Sequence, residues 1–236
     1  MYKLDRVDKS YGSLRVLRDF TLEFPENRIT TVLGPSGCGK TTLLNILAGL
    51  VPVDDGRVTT ATPVSYLFQE PRLLPWLTVW ENLNLVLRDQ LPAAEVAPRV
   101  NQYLAATGVA AYQNYYPAQL SGGLRQRVAL ARAFSFPASL LLMDEPFKSL
   151  DLKVRYRLIA DFLDLWRRQP RTVVLITHDV KEAVLMGEQI VILTDKPARV
   201  VRVFERQLAS SPDHLESDYR LEQELLKMLL EDDSIY

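Results

Sequence analysis

The stretch ITTVLGPSGCGKTTLLNILAGL, Ile29 to Leu50, decides how the rest of the chain is read. Its first five residues are a short apolar run with two threonines, preceded by the turn-forming PENR, and they predict a strand. Gly34, Gly39, Lys40 and Thr41 then satisfy the spacing G-x-x-x-x-G-K-[ST]. The apolar LLNILAGL beyond them predicts a helix closed by Gly49 and Pro52. Strand, glycine loop and helix together give the motif physical meaning. Small residues let backbone N–H groups wrap a phosphate, and the helix N-terminus adds partial positive charge. In that arrangement Lys40 reaches the β- and γ-phosphates of a nucleotide and the Thr41 hydroxyl ligates Mg²⁺. A glycine turn that matched by accident would lack the flanking strand and helix.

Outward from this core, the pattern alternates. Phe20, Leu22 and Phe24 alternate with polar neighbours and predict a half-buried strand. After the DDG turn, VSYLF reads as another strand. From Pro71 to about Tyr116 the pattern turns helical, with Leu83 and Leu87 on one face, and this segment reads as a helical insertion. Strand–helix alternation then resumes with SLLLMD, LKVRYRLIADFLDLW, TVVLIT, VKEAVLMG and QIVIL. Such alternation predicts an α/β fold, a parallel sheet covered by helices. Near the end, Leu215, Tyr219, Leu226 and Leu229 stand at helical spacing and predict an amphipathic closing helix packed on the domain.

Composition bounds the function. The 236 residues suit one large domain carrying a subdomain, and acids and bases nearly cancel to a net charge of −1. No basic stripe of the kind that releases counterions from nucleic acid is present, so no nucleic-acid partner is expected. Cys38 is the only cysteine, which excludes an internal disulfide and fits a reducing compartment. The first residues lack the layout of a signal peptide, and no apolar run approaches the ~18 to 20 residues that span a bilayer. Any membrane role is therefore expected to be peripheral.

Several further residues fall where a phosphate chemistry would want them. SLLLMDEP delivers two acids to a strand end: Asp144 is placed to hold Mg²⁺, and Glu145 to polarise an attacking water. His178 follows the buried strand TVVLIT, so it should emerge at the same edge as the phosphates; a lone histidine is usually structural, but this placement favours contact with the γ-phosphate. Gln69, after VSYLF, offers a neutral amide to Mg²⁺ or the attacking water. Cys38 lies in the glycine loop at a helix start, where the dipole could lower a thiol pKa, although a cysteine there is more often just a small loop residue. Ser121, Gly122 and Gly123 open LSGGLRQRVALARA, a second helix start suited to an anion. One nucleotide does not need two cradles from one chain. The economical reading is that the second serves a nucleotide bound to another copy, giving two composite sites related by a two-fold axis. Taken alone, SGG favours a plain helix cap with no ligand.

GPSGCGKTT, Gln69, LSGGLRQR, LLLMDEP, SLD and THD occur in the order and approximate spacing of the ATP-binding subunits of ABC transporters. The resemblance runs from Tyr2 to about Phe204. It implies a single ATP-binding domain over residues 1–236: a P-loop NTPase with a RecA-like core, an N-terminal antiparallel β subdomain and an inserted helical subdomain at about 75–135. A C-terminal helical extension is expected at about 206–236. The resemblance further implies that Gly34, Pro35, Ser36, Gly37, Cys38, Gly39, Lys40, Thr41 and Thr42 cradle ATP, and that Tyr11 stacks on the adenine. Thr41, Gln69 and Asp144 would hold Mg²⁺, while Glu145, His178 and Gln69 would serve hydrolysis. Ser121, Gly122, Gly123 and Asp151 would reach the nucleotide of the second copy.

Within the family, FQEPRLLPWLTVWENL and PSGCGKTTLLNILAGL look most like importers of the nitrate, sulfonate and taurine type. The implied partners are a second copy of the chain, a transmembrane permease docked on apolar Leu74, Trp76 and Leu77, and indirectly an extracytoplasmic solute-binding protein. The implied location is the cytoplasmic face of the inner membrane. An exporter or lipoprotein-release ATPase shares these motifs, and a soluble ATPase acting on nucleic acid or ribosomes is the rival class. Lys148 departs from the pattern, standing in FKSLD where a small residue is common.

Overall fold

The computed structural model describes residues 1–148, 150–207 and 215–231. Ser149 of SLD and parts of the expected C-terminal extension, 208–214 and 232–236, lie outside them. The chain divides into two compact units, residues 1–61 with 171–236 and residues 62–170.

The first unit opens with strands β1 (Tyr2–Tyr11) and β2 (Leu14–Phe24). After them come β3 (Ile29–Leu33), helix α1 (Lys40–Leu47) and β4 (Asp55–Thr59). Strands β2, β1 and β4 form an antiparallel sheet in that order. Phe20, Leu22 and Phe24 turn their side chains inward from β2, as their alternation predicts. Strand β1 carries no clean alternation in the sequence because its period breaks. Arg6 sits at φ 52 in an irregularity between Leu4 and Val7, so the buried residues change phase there. DDG is more than a turn, since Asp55 and Gly56 already belong to β4.

Strand β3 lies between two parallel neighbours, β7 (Thr172–Ile176) and β8 (Gln189–Leu193), with β9 (Val200–Glu205) antiparallel to β8 at the edge. Every residue of β3, β7 and β8 is buried, which is why they read as continuous apolar runs. The buried hydroxyl of Thr30 is satisfied by donating to Gln189 Oε1 at 2.8 Å. Mostly exposed β9 carried no alternation to read.

Helices α6 (Val180–Met186) and α7 (Leu215–Glu231) complete this unit. The closing helix exists, but its buried face is set differently from the expectation. Leu225 is fully buried against Leu33, Val180, Ala183, Val184, Ile190 and Ile192, with Leu221, Met228 and Leu229 beside it. Tyr219 is 62% exposed and Leu226 36%. Positions 221, 225 and 228 make the seam, and two ion pairs, Arg206–Asp218 at 2.5 Å and Arg202–Glu224 at 2.6 Å, flank it.

In the second unit, β5 (Val64–Leu67) pairs in parallel with β6 (Leu140–Asp144), Leu67 opposite Met143. Between them lie α2 (Val79–Leu87), α3 (Ala93–Ala106) and α4 (Gly122–Ser135), and α5 (Leu152–Arg168) follows β6. Helix α2 starts at Thr78, whose hydroxyl accepts from the Glu81 N–H while its own N–H donates to the Glu81 carboxylate. Leu83 and Leu87 are both fully buried. Phe134 of α4 meets Phe162 of α5 edge-on at 5.6 Å.

Truncating Leu225 tests the corrected seam. Leu225→Ala should cost about 2–5 kcal/mol of stability, read as a lower denaturation midpoint. Leu226→Ala should leave the midpoint almost unchanged.

Candidate functional site

Each unit carries part of the chemistry. In the first, β3 ends at Leu33 and the chain enters the glycine loop. Gly39 has φ 120, and a Cβ there would lie 2.5 Å from Val16 Cγ1 of β2, so only glycine fits where α1 begins. No side chain caps α1 and its first turn holds no acid, which leaves N-terminal N–H groups and their dipole for an anion. Lys40 is buried, and its ammonium donates to the carbonyls of Gly34 and Pro35, both at 2.7 Å. Ser36, Gly37 and Thr41 are exposed around it, with Pro35 and Thr42 half-buried.

Cys38 corrects one expectation. Its thiol is completely buried, with Lys40 Nζ 3.9 Å away. Burial pushes the thiol pKa up despite the opposing pull of the Lys40 charge, so desolvation outweighs the cation and the helix start.

His178 leaves from the neighbouring strand. Val32 stands level with Ile176 across the β3–β7 pair, and the Thr177 N–H donates to the Val32 carbonyl at 3.3 Å. The glycine loop and His178 therefore depart from one edge of the sheet. The hydroxyl of Thr177 donates to buried Glu182 at 2.6 Å, and Asp179 caps α6 by accepting from the N–H groups of Lys181 and Glu182. Between these two anchors His178 is held exposed.

Tyr11 is 48% exposed at the end of β1. Lys9 Nζ sits 5.5 Å from its ring centroid and donates to Asp54 at 2.8 Å. The Lys9 hydrogen bond, followed by that from the Ser10 N–H, holds the Asp54 carboxyl below its ordinary pKa. The aromatic face is thus steadied by a charge pair that the sequence did not mark.

In the second unit, Gln69 follows β5 and the acids end β6, so these parallel neighbours bring Gln69, Asp144 and Glu145 to one strand edge. Gln69 is exposed, whereas Asp144 and Glu145 are half-buried. Tyr66 registers Asp144 electrostatically: burial first, then the Asp144 charge, pushes its phenol pKa up. Glu145 adopts φ 43, uncommon for a residue with a Cβ, and its carboxylate lies 2.6 Å from Lys148 Nζ.

Helix α4 begins at Ser121, whose hydroxyl accepts from the Leu124 N–H at 3.3 Å. It is a helix cap, and its own O–H remains a donor suited to an anion. Ser121 and Gly122 are exposed and Gly123 is half-buried; a Cβ on Gly123 would stand 2.9 Å from Val154 Cγ1 of α5. Asp151 caps α5 by accepting from the Val154 N–H at 3.1 Å. Gln126 donates to the Pro146 carbonyl at 2.6 Å, tying α4 to the turn that carries Glu145.

Two positioning residues escaped the sequence reading. Arg132, near the end of α4, donates to the carbonyls of Pro71 and Arg72 at 2.7 and 2.9 Å and so fixes the segment after Gln69. Burial pulls its pKa below the ordinary arginine value. Asn82 donates to the carbonyls of Leu74, Leu77 and Thr78 and accepts from the Leu74 N–H. That clamp presents Trp76, 67% exposed, with Leu74 and Leu77 half-buried beside it. Both residues sit in patterns dominated by apolar and charged neighbours, where a single polar anchor gives no periodic signal.

Among the described residues, no group of three or more His, Cys, Asp and Glu could hold a metal ion, and no helix is long and apolar enough to cross a membrane. Magnesium does not need such a cage. It is characteristically held by one or two protein ligands together with phosphate oxygens.

A glycine loop opening a helix after a buried parallel strand, with acids ending another strand, defines a nucleotide-binding P-loop cassette. The family model described as ABC transporter matches residues 17–148. The aliphatic sulfonates import ATP-binding protein SsuB of Mycobacterium avium is 44% identical over 194 residues, covering 82% of this chain and 77% of that protein. SsuB 2 of Pseudomonas savastanoi is 42% identical over 85% of this chain and 74% of its own length. SsuB of Bacillus anthracis is 37% identical over 85% and 82%. Among solved structures, a dimeric post-hydrolysis state of the ATP-binding cassette MJ0796, bound to ADP and Pi, superposes with a TM-score of 0.76 at 30% identity. That match covers 88% of this chain and 99% of the other. The chain belongs to the ABC transporter family; it is a nucleotide-binding ATPase cassette.

Two measurements check this geometry. Arg132→Met should lower stability by about 1.5–3 kcal/mol through loss of its charge-assisted bonds, visible as a lower urea midpoint. Cys38 should react slowly with a thiol reagent in the native protein at neutral pH, faster as pH rises toward its elevated pKa, and rapidly once the protein is unfolded.

Proposed function

We propose that this chain is the ATP-hydrolysing subunit of an importer, and that two copies close on two Mg·ATP to drive a transmembrane permease. The observation that carries this reading is the pair of helix starts suited to phosphate: uncapped α1 with Lys40, and α4 opened by exposed Ser121 and Gly122. The dimeric state of the MJ0796 cassette supports a sandwich of two copies.

The roles follow from residue chemistry. Gly34 to Thr42 wrap the triphosphate, with Lys40 exchanging its loop carbonyls for phosphate oxygens. Thr41, Asp144 and Gln69 would hold Mg²⁺, which when bound would supply positive charge against the phosphate oxygens. Glu145 accepts a proton from the attacking water, and His178 orients toward the γ-phosphate. Tyr11 stacks on the adenine. Ser121, Gly122, Gly123 and Asp151 meet the nucleotide of the second copy.

Trp76, Leu74 and Leu77 form the apolar patch offered to the permease. The likeness to aliphatic sulfonates import ATP-binding proteins supports a sulfonate, or a related small solute of the nitrate and taurine type, as cargo. An extracytoplasmic solute-binding protein would deliver it, and the chain would work at the cytoplasmic face of the inner membrane. One domain with a helical subdomain at about 75–135 and a C-terminal helical extension is the organisation that serves this cycle.

Light scattering of Glu145→Gln with saturating Mg·ATP tests the reading. The expected result is a stable dimer that falls apart when ATP is replaced by ADP. A monomer under both conditions would argue against a sandwich formed by the chain alone.

A further inference from the structure

Lys148 has no part in the roles above, yet its ammonium lies 2.6 Å from Glu145 Oε2. The approach is built into the backbone. A tight turn, closed by the Lys148 N–H donating to the Glu145 carbonyl at 3.3 Å, places the two side chains three residues apart on one side. That turn is fastened from helix α4 by the Gln126 bond to the Pro146 carbonyl, and Glu145 enters it at φ 43. The carboxylate is 15% exposed and the lysine 45%, so the anion is fixed and partly desolvated while the cation keeps a route to solvent.

We infer that Lys148 is a positioning residue that restrains Glu145, its ammonium engaging the carboxylate oxygen that would otherwise receive the proton of the attacking water. This rests on the reading of Glu145 as general base. A general base must be within hydrogen-bond reach of the water and have a lone pair available to it. With Oε2 engaged by an ammonium, the carboxylate is a weaker base and less free to turn toward the water, so hydrolysis is faster from the population in which the pair is open. Lys148 swings outward on its flexible stem in that population, and the fixed carboxylate stays in place. The pair therefore sets kcat and leaves ATP affinity alone.

The test is steady-state ATPase of the full chain carrying Lys148→Ala, Lys148→Arg or Glu145→Gln. A half-exposed pair of this kind predicts that Lys148→Ala raises kcat about two- to fivefold at unchanged KM for ATP. Lys148→Arg, which keeps the cation, should stay near the unsubstituted rate. An unchanged or lower kcat in Lys148→Ala would overturn the inference, as would a change confined to KM. Full activity in Glu145→Gln would instead overturn the general-base reading. A thermal-denaturation cycle over Glu145→Gln and Lys148→Ala reads the pair without catalysis. Non-additive midpoints are expected, and additive ones would show that the pair does not form.

Discussion

The buried ammonium of Lys40 is the constraint around which this cassette is organised. Taking a cation out of water is costly unless oxygen ligands replace its hydration, and here two loop carbonyls at 2.7 Å do so. Those carbonyls belong to Gly34 and Pro35, which can face the ammonium only because β3 stops at Leu33 and α1 starts at Lys40. Gly39 makes the junction possible against Val16, so the antiparallel sheet presses on the loop from behind. A cation held by dipoles alone is primed for an anion, because phosphate oxygens return more electrostatic energy than neutral carbonyls.

The same logic of fixed backbone and available side chain recurs in both units. His178 is exposed, but Thr177 and Asp179 on either side are locked by hydrogen bonds. Trp76 projects from a turn whose carbonyls are clamped by Asn82. Gln69 precedes a segment whose carbonyls are held by Arg132 from α4. In the second unit, then, the helix that starts at Ser121 is mechanically tied at its far end to the segment after Gln69, and in its first half to the turn bearing Glu145. A shift of α4 would therefore be felt at both places.

Much of this was legible in the sequence because it rests on local patterns. The glycine loop reads directly from Gly34, Gly39 and Lys40, and the buried parallel strands from unbroken runs such as TVVLI. Asp144 and Glu145 could be placed because an apolar strand ends at them. Long-range effects were not legible. The bulge at Arg6 hid β1, and the face of α7 was fixed by Leu225 meeting β8 and α6, a choice that spacing alone left one residue astray. The direction of the Cys38 shift was not legible because its position at a helix start is local, whereas the desolvation that dominates it comes from tertiary packing; its burial fits the plainer reading, a small loop residue. The Asp54–Lys9 anchor behind Tyr11 joins residues forty-five apart and has no signature in sequence.

Binding of a nucleotide should make the Lys40 ammonium exchange its loop carbonyls for phosphate oxygens. The most direct measurement is a crystal structure of the full chain grown with Mg²⁺ and a non-hydrolysable ATP analogue. Lys40 Nζ is expected on the β- and γ-phosphate oxygens, with its bonds to Gly34 and Pro35 broken or lengthened. An analogue bound elsewhere, with Lys40 still donating to both carbonyls, would contradict it.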